Sequence, residues 1–218
     1  MKRLLIHDAR EGTLVLRGPG HHHLVHVLRS TAGEQVEVFN GAGLRFDATL
    51  NQVGAEEAEL TLGPARAGAA VRHVAVMQGL PKGDKFELVL QKCTELGASA
   101  FWPVATERSI VKIANFSPGK TQRWQTIVDE AARQCGRSDV PAVHAPQKLA
   151  EALASLPQDA QVLVLDEEER AIRLSTAIDA LAPGAPVVLL IGPEGGLSRE
   201  ELHGVKATRV SLGANILR

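Results

Sequence analysis

Two glycine-punctuated segments near the C-terminal end hold the residues best suited to chemistry. The first, Val187-Val-Leu-Leu-Ile-Gly-Pro-Glu-Gly-Gly-Leu-Ser198, reads as a buried strand, a glycine loop and the capped start of a helix. Glycines let backbone amides approach a ligand closely, and open α/β sheets bind ligands beyond the carboxyl ends of their strands. A plain tight turn needs one or two glycines. Pro193, Glu194 and the Gly195-Gly196 pair exceed that need and favour a site. The loop has neither the Gly-Lys-Ser/Thr of a P-loop nor the spaced glycines of dinucleotide folds. The second segment, Ser211-Leu-Gly-Ala-Asn-Ile-Leu-Arg218, repeats the logic one strand later. Gly213 opens a turn, and Ile216 and Leu217 offer an apolar slot for an adenine. A third strand, Gln161 to Leu165, ends at Leu165. Together these strand ends suit some adenine-bearing ligand.

Other reactive residue types are more scattered. His21, His22, His23 and His26 invite a metal reading, because His22 and His26 are one helical turn apart. No carboxylate or cysteine completes a ligand set, so we assign no metal. A helix presenting His22, His23 and Arg29 to nucleic acid is the better reading, with partly buried packing histidines as the alternative. Arg3, Lys82, Lys85, Arg108, Lys112, Arg133 and Arg137 are candidate phosphate contacts. Each of Lys82, Lys85, Arg108 and Lys112 alone is more often a solvated surface charge. The net charge of −1 does not announce a nucleic-acid protein, but the cations are unevenly spread. Phe101 to Arg137 carries six Lys/Arg against three Asp/Glu, and a neutral average can hide such a basic face. Aromatic residues make up only 3%, with no tyrosine, which excludes a base-stacking sheet of the kind used by RRM or OB folds.

The elements that must position these residues fall into two groups. Residues 1–68 are strand-rich, with short alternating runs such as Gln35-Val-Glu-Val-Phe39 and Ala58-Glu-Leu-Thr-Leu62, and one helix near His21 to Arg29. That pattern predicts a small β-barrel. From residue 69 onward strands alternate with helices, which predicts an α/β domain with a mostly parallel sheet. Asp84-Lys-Phe-Glu87 and Ser198-Arg-Glu-Glu201 read as capping boxes, and Gly97 as a helix stop. Met1 to Asp8 has too few apolar residues for a signal peptide, and no run approaches a membrane span. Cys93 and Cys135 form no Cys-x-x-Cys pair, as expected of a reducing cytoplasm.

The segments Ile191-Gly-Pro-Glu-Gly-Gly-Leu-Ser198 and Leu212-Gly-Ala-Asn-Ile-Leu-Arg218 resemble the signature of the RsmE family, methyltransferases of small-subunit ribosomal RNA in the knotted SPOUT superfamily. Gln78-Gly-Leu-Pro-Lys-Gly-Asp84, Gln91-Lys-Cys-Thr-Glu-Leu-Gly97, Glu107-Arg-Ser109 and Glu130-Ala-Ala-Arg-Gln-Cys-Gly-Arg137 are similar to its middle segments. His22-His-Leu-Val-His-Val-Leu-Arg29 and Phe39-Asn-Gly41 are similar to its N-terminal PUA-like barrel. The resemblance implies a PUA-like, RNA-binding barrel over residues 1–68 and a SPOUT methyltransferase domain with a C-terminal trefoil knot over 69–218. It implies methyl transfer from S-adenosylmethionine to N3 of one uridine of 16S rRNA, position 1498 in the usual rRNA numbering. It further implies a homodimer, and a final helix beyond the Ile-Leu-Arg at which this sequence ends. By matching position, Leu165, Leu190, Ile191, Gly192, Pro193, Glu194, Gly195, Gly196, Ser211, Leu212, Gly213, Asn215, Ile216 and Leu217 would hold the cofactor.

The N3 proton of uridine is bound well above neutral pH, so the attack needs a base or a group that stabilises the anion. Positioning the methyl in line with N3 supplies part of the acceleration. Glu194 is the carboxylate nearest this chemistry, with loop hydrogen bonding as its competing and better-supported role. Arg137 would steady the developing uracil anion or else contact phosphate, and Arg218 is a third catalytic candidate. On the residues alone two other readings stand: another nucleotide-binding α/β enzyme, and a non-enzymatic RNA-binding assembly factor.

Overall fold

Alternating apolar residues build the N-terminal sheet. The computed structural model describes residues 1–68, 73–110, 113 and 116–213. These divide into two compact units, Met1–Ala70 with Asp129–Val140, and Val71–Val128 with Pro141–Arg218. The first unit contains β1 (Lys2–Leu5), β2 (Gly12–Arg17), β3 (Gln35–Phe39), β4 (Leu44–Val53), β5 (Glu57–Leu62) and β6 (Arg66–Ala67). The sheet order is β1-β3-β4-β5-β2, with β6 on β4; β1 and β3 run parallel and the other pairs antiparallel. Phe46, Ala48 and Leu50 of β4 and Ala58, Leu60 and Leu62 of β5 are buried at every second position, as a period of two requires. Leu24 is fully buried in the same core. It sits on a π-helical turn (His23–Val27) that continues the short helix α1 (Gly18–His22). The helix expected near His21 to Arg29 is therefore two joined turns, and it stops where Arg29 takes a positive φ of 50°.

The second unit is a parallel sheet. Its elements are β7 (Val74–Gly79), α2 (Lys85–Glu95), β8 (Ala100–Ala105), α3 (Pro118–Cys135), β9 (Ala142–Val143), β10 (Gln147–Lys148), α4 (Leu149–Ala154), β11 (Gln161–Leu165), α5 (Leu174–Asp179), β12 (Val187–Ile191), α6 (Arg199–Leu202) and β13 (Ala207–Val210). The last turns of α3 belong to the first unit. All pairs run parallel in the order β10-β8-β7-β12-β11-β13, with β9 on β8, so the carboxyl ends of these strands share one edge. The central strands read as continuous apolar runs because both faces are covered. Met77, Val164, Val188 and Leu190 pack on one side, and Leu163, Val187 and Val210 on the other.

Three helix boundaries test the capping signals. Gly97 closes α2 in a Schellman arrangement at φ 101°, with Ala98 N bonded to Cys93 O and Gly97 N to Thr94 O. The Asp84 capping box does not form. Asp84 occupies the cap position at φ −98°, ψ 11°, and its side chain makes no cap bond. That backbone lies outside the extended region from which a cap side chain reaches back to the helix. Ser198 does form the box: its Oγ accepts from Glu201 N at 3.0 Å, and Ser198 N donates to the Glu201 carboxylate at 3.2 Å. Among the described residues no helix is long and apolar enough to cross a membrane. Threading of the C-terminal chain would involve residues 214–218, which lie outside the described residues.

Candidate functional site

Register brings the expected strand ends together. Leu165 pairs with Ile191 on one side and Val210 on the other, and Ile191 pairs in turn with Gln78. Three of these ends therefore open at one level: the loop after Ile191, the turn after Leu165 and the segment starting at Ser211. This is the place where a parallel sheet offers a crevice to a ligand.

The loop after Ile191 is fixed at nearly every residue. Gly196 N donates to Pro193 O at 2.8 Å, closing a tight turn in which Gly196 has φ 71°. The Gln78 side-chain amide donates to Gly192 O and to Gly79 O, each at 3.0 Å. Gly79 lies against the loop so closely that a Cβ there would stand 2.5 Å from Pro193 Cδ. On Gly192 a Cβ would stand 2.8 Å from the Gly196 carbonyl carbon. Arg108 Nη1 donates to Gly195 O at 2.9 Å. The Glu194 carboxylate accepts from Lys85 Nζ at 3.0 Å and from Lys82 N at 3.3 Å. The hydrogen bond from Lys85 is the main reason this carboxyl is held below the ordinary glutamate range. Glu194 is thus an anionic strut of the loop at neutral pH, the competing role weighed for it above.

The other expected cofactor residues fall around this loop. Leu165 borders a cavity of about 200 Å³ that also meets Asp166, Glu167, Arg108, Arg199 and Arg209. Leu190 is fully buried in the sheet core, so it supports the loop rather than lining an opening. Ser211 is 6% exposed, and its hydroxyl bridges Gly213 N (3.1 Å) and Gly213 O (3.2 Å). Leu212 is exposed. Asn215, Ile216, Leu217 and Arg218 lie outside the described residues, as does Lys112.

Arg137 belongs to the first unit, just past the end of α3. Its guanidinium forks onto Asp139, with Nη2 2.5 Å from Oδ2. Burial pushes the Asp139 carboxyl upward, but the bond and charge from Arg137 outweigh it and hold the group low. Arg3 donates to the buried Glu37 at 2.5 Å, and Arg45 approaches that carboxylate at 3.7 Å while donating to Gly136 O at 3.2 Å. Arg133 contacts the His23 ring and Glu130. Burial first, then Arg133 and His22, lowers the pKa of His23. His22 and His26 have ring centroids 4.8 Å apart. Among the described residues no three His, Cys, Asp or Glu side chains cluster as a metal site would need.

Comparison with known proteins decides the family. Residues 69–218 match the family model of an RNA methyltransferase domain, and residues 16–63 that of an RNA methyltransferase PUA domain. The chain is 32% identical to the ribosomal RNA small subunit methyltransferase E of Bacillus subtilis (strain 168), over 94% of this chain and 84% of that one. It is 34% identical to the protein of the same name from Synechocystis, over 95% and 69%. The chain belongs to this family. A crystal structure of the Neisseria gonorrhoeae ribosomal RNA small subunit methyltransferase E bound to S-adenosyl methionine is 31% identical, with a TM-score of 0.88 over 100% of this chain and 91% of that one. The N-terminal PUA domain expected from the resemblance is thereby shown, and the mostly parallel sheet expected from the alternation of strands and helices is the one the fold contains. Gln78, Gly79 and the turn from Asp166 to Glu169 had no individual role in the sequence reading. Gln78 and Gly79 stand within a recognised motif, yet only their placement against Gly192 and Pro193 shows what they touch.

Proposed function

We propose that this chain transfers a methyl group from S-adenosylmethionine to N3 of one uridine of 16S rRNA, position 1498 in the usual numbering. The observation that carries the reading is the pinned Gly192–Gly196 turn, set level with the ends of Leu165 and Val210, in a member of this methyltransferase family. The fit to the cofactor rests on the pinned turn at the strand ends, whose shape the glycines set, because a Cβ on Gly79 or Gly192 would meet the loop's own atoms. Leu165, Ile191 to Gly196 and Ser211 to Gly213 would hold the cofactor, with Asn215, Ile216 and Leu217 completing its slot. When bound, S-adenosylmethionine supplies an electrophilic methyl on a sulfonium.

The chain's own residues orient and stabilise. Glu194, committed as a carboxylate to Lys85 and Lys82 N, holds the turn rather than carrying a proton. Arg137 is our candidate for steadying the uracil anion, in exchange for its bond to Asp139, with Arg218 as a second cation for the same task. Residues 1–68 form the RNA-binding domain and residues 69–218 the methyl-transfer domain. His22, Arg29, Lys82, Lys85 and Arg108 are proposed RNA contacts. The protein works on the small subunit in the cytoplasm, as a homodimer. Calorimetry with S-adenosylmethionine tests the cofactor half of this reading. We expect one site per chain, lost in Gly192→Val; an unchanged affinity in that variant would remove the loop from the site.

A further inference from the structure

Gln78 is a polar side chain, 6% exposed, at the end of a central parallel strand. Its partners are three carbonyl oxygens: Gly79 O and Gly192 O at 3.0 Å, and Ile191 O at 3.5 Å. Carbonyls only accept, so the amide nitrogen rather than the amide oxygen must face them, which settles the orientation of the side chain. One NH2 group thus ties the last carbonyl of β7 to the carbonyl immediately before Pro193. Fixing Gly192 O fixes the plane of the Gly192–Pro193 peptide, and with it the direction in which the Pro193–Gly196 turn leaves the strand. Gly79 completes the arrangement, since only a residue without Cβ lets Pro193 pack this closely.

We infer that Gln78 is the positioning residue of the cofactor loop: its buried amide sets the Gly192–Gly196 turn in its binding shape before any ligand arrives. The ligand-bound part of this inference rests on the cofactor reading above, whereas the loop part does not. Lys85–Glu194 and Arg108 hold the same turn from its exposed side, where solvent weakens such contacts. The donor from Gln78 works in a buried place, where losing a partner leaves carbonyls unsatisfied.

The test uses the full chain with Gln78→Met, which keeps the length and removes the donors, and Gln78→Glu. Hydrogen exchange of the ligand-free protein should show the Gly196 amide exchanging roughly tenfold faster in Gln78→Met, with the slow amides of β11 and β12 unchanged. The dissociation constant and KM for S-adenosylmethionine should rise roughly tenfold, while kcat at saturation stays within about threefold. Gln78→Glu should show the same defect at pH 8 and recover part of it near pH 5.5. A buried carboxyl has a raised pKa and, once protonated, again offers one donor to Gly192 O. Lys85, Glu194 and Arg108, the charged groups that face the loop, are common to variant and wild type, so dividing by the wild-type value at each pH removes their contribution and that of the cofactor.

Gly196 exchange within twofold of wild type in both variants would overturn the inference, as would a Gln78→Glu defect equal at the two pH values. Loss of protection across the whole sheet would make Gln78 a general core residue and overturn it equally. If the wild-type protein binds no S-adenosylmethionine, the cofactor reading falls, and the exchange result alone decides the role of Gln78.

Discussion

Glu194 joins a residue type that could serve as a base to surroundings that use it as an anion. A carboxylate in a glycine loop suggests a base, but one that accepts from Lys85 Nζ and Lys82 N is committed as an anion. We therefore expect Glu194→Gln to raise the KM for cofactor several-fold and to leave kcat within about threefold, as steady-state kinetics would report. The rate profile between pH 5.5 and 8 should show no inflection from this group, because its folded pKa lies below the ordinary value of about 4.3. Its contribution to stability follows the same sign: present above that value and lost as pH falls through the folded pKa. His144 runs the opposite way. Its ring stacks on Trp102 with centroids 3.6 Å apart, and burial lowers its pKa. The unfolded chain takes up that proton first, so stability declines as pH falls through about 6.5 and levels off below the folded pKa. His144→Phe keeps the stack and should flatten this part of a melting-temperature profile between pH 5 and 7.5.

At the scale of elements, most of the site's scaffold was legible in the sequence, and the exceptions have physical causes. Continuous apolar runs marked β11 and β12, and Ser198 and Gly97 marked helix ends whose bonds depend only on nearby residues. Asp84 misled because its cap also needs an extended backbone, and Asp84 itself stands at φ −98°, ψ 11°. β1 was missed because Lys2-Arg-Leu-Leu5 buries only Leu4 and earns its strand from parallel pairing with β3, a contact 34 residues away. The short β10 was missed because two residues of strand carry no period. The single helix α3 contributes to both compact units, which no composition change along 118–135 announces. Its buried Trp124 meets Phe86 edge-on at 4.7 Å between centroids. Trp124→Ala should cost about 3–5 kcal/mol in denaturant unfolding, and Trp124→Phe much less, because the indole N–H has no acceptor among the described residues. In the first unit, Glu37 sits between Arg3 and Arg45. Glu37→Ala leaves buried guanidinium charge uncompensated and should cost about 3–5 kcal/mol by the same measurement.

For the whole molecule, the sequence located the loop but not what holds it. Ile191 to Gly196 was visible as a glycine-rich strand end, and its supports came from three other places in the chain: Gln78 with Gly79, Lys82 with Lys85, and Arg108. Each is about 85 to 115 residues distant, and each interacts with the loop through a backbone carbonyl, a carboxylate or a missing Cβ. Such contacts leave no local pattern. The near-neutral charge had the same effect on RNA binding, since cations such as Arg3, Arg133 and Arg137 are matched by acids in the fold. The reaction itself is tested most directly by supplying the purified protein with S-adenosylmethionine labelled on its methyl group and with small ribosomal subunits from cells lacking the gene. Nuclease digestion and mass spectrometry then locate the label. We expect one labelled methyl per 16S rRNA, on N3 of the uridine at position 1498. Label on a ribose, on another base, or absent from subunits and naked rRNA alike would contradict it.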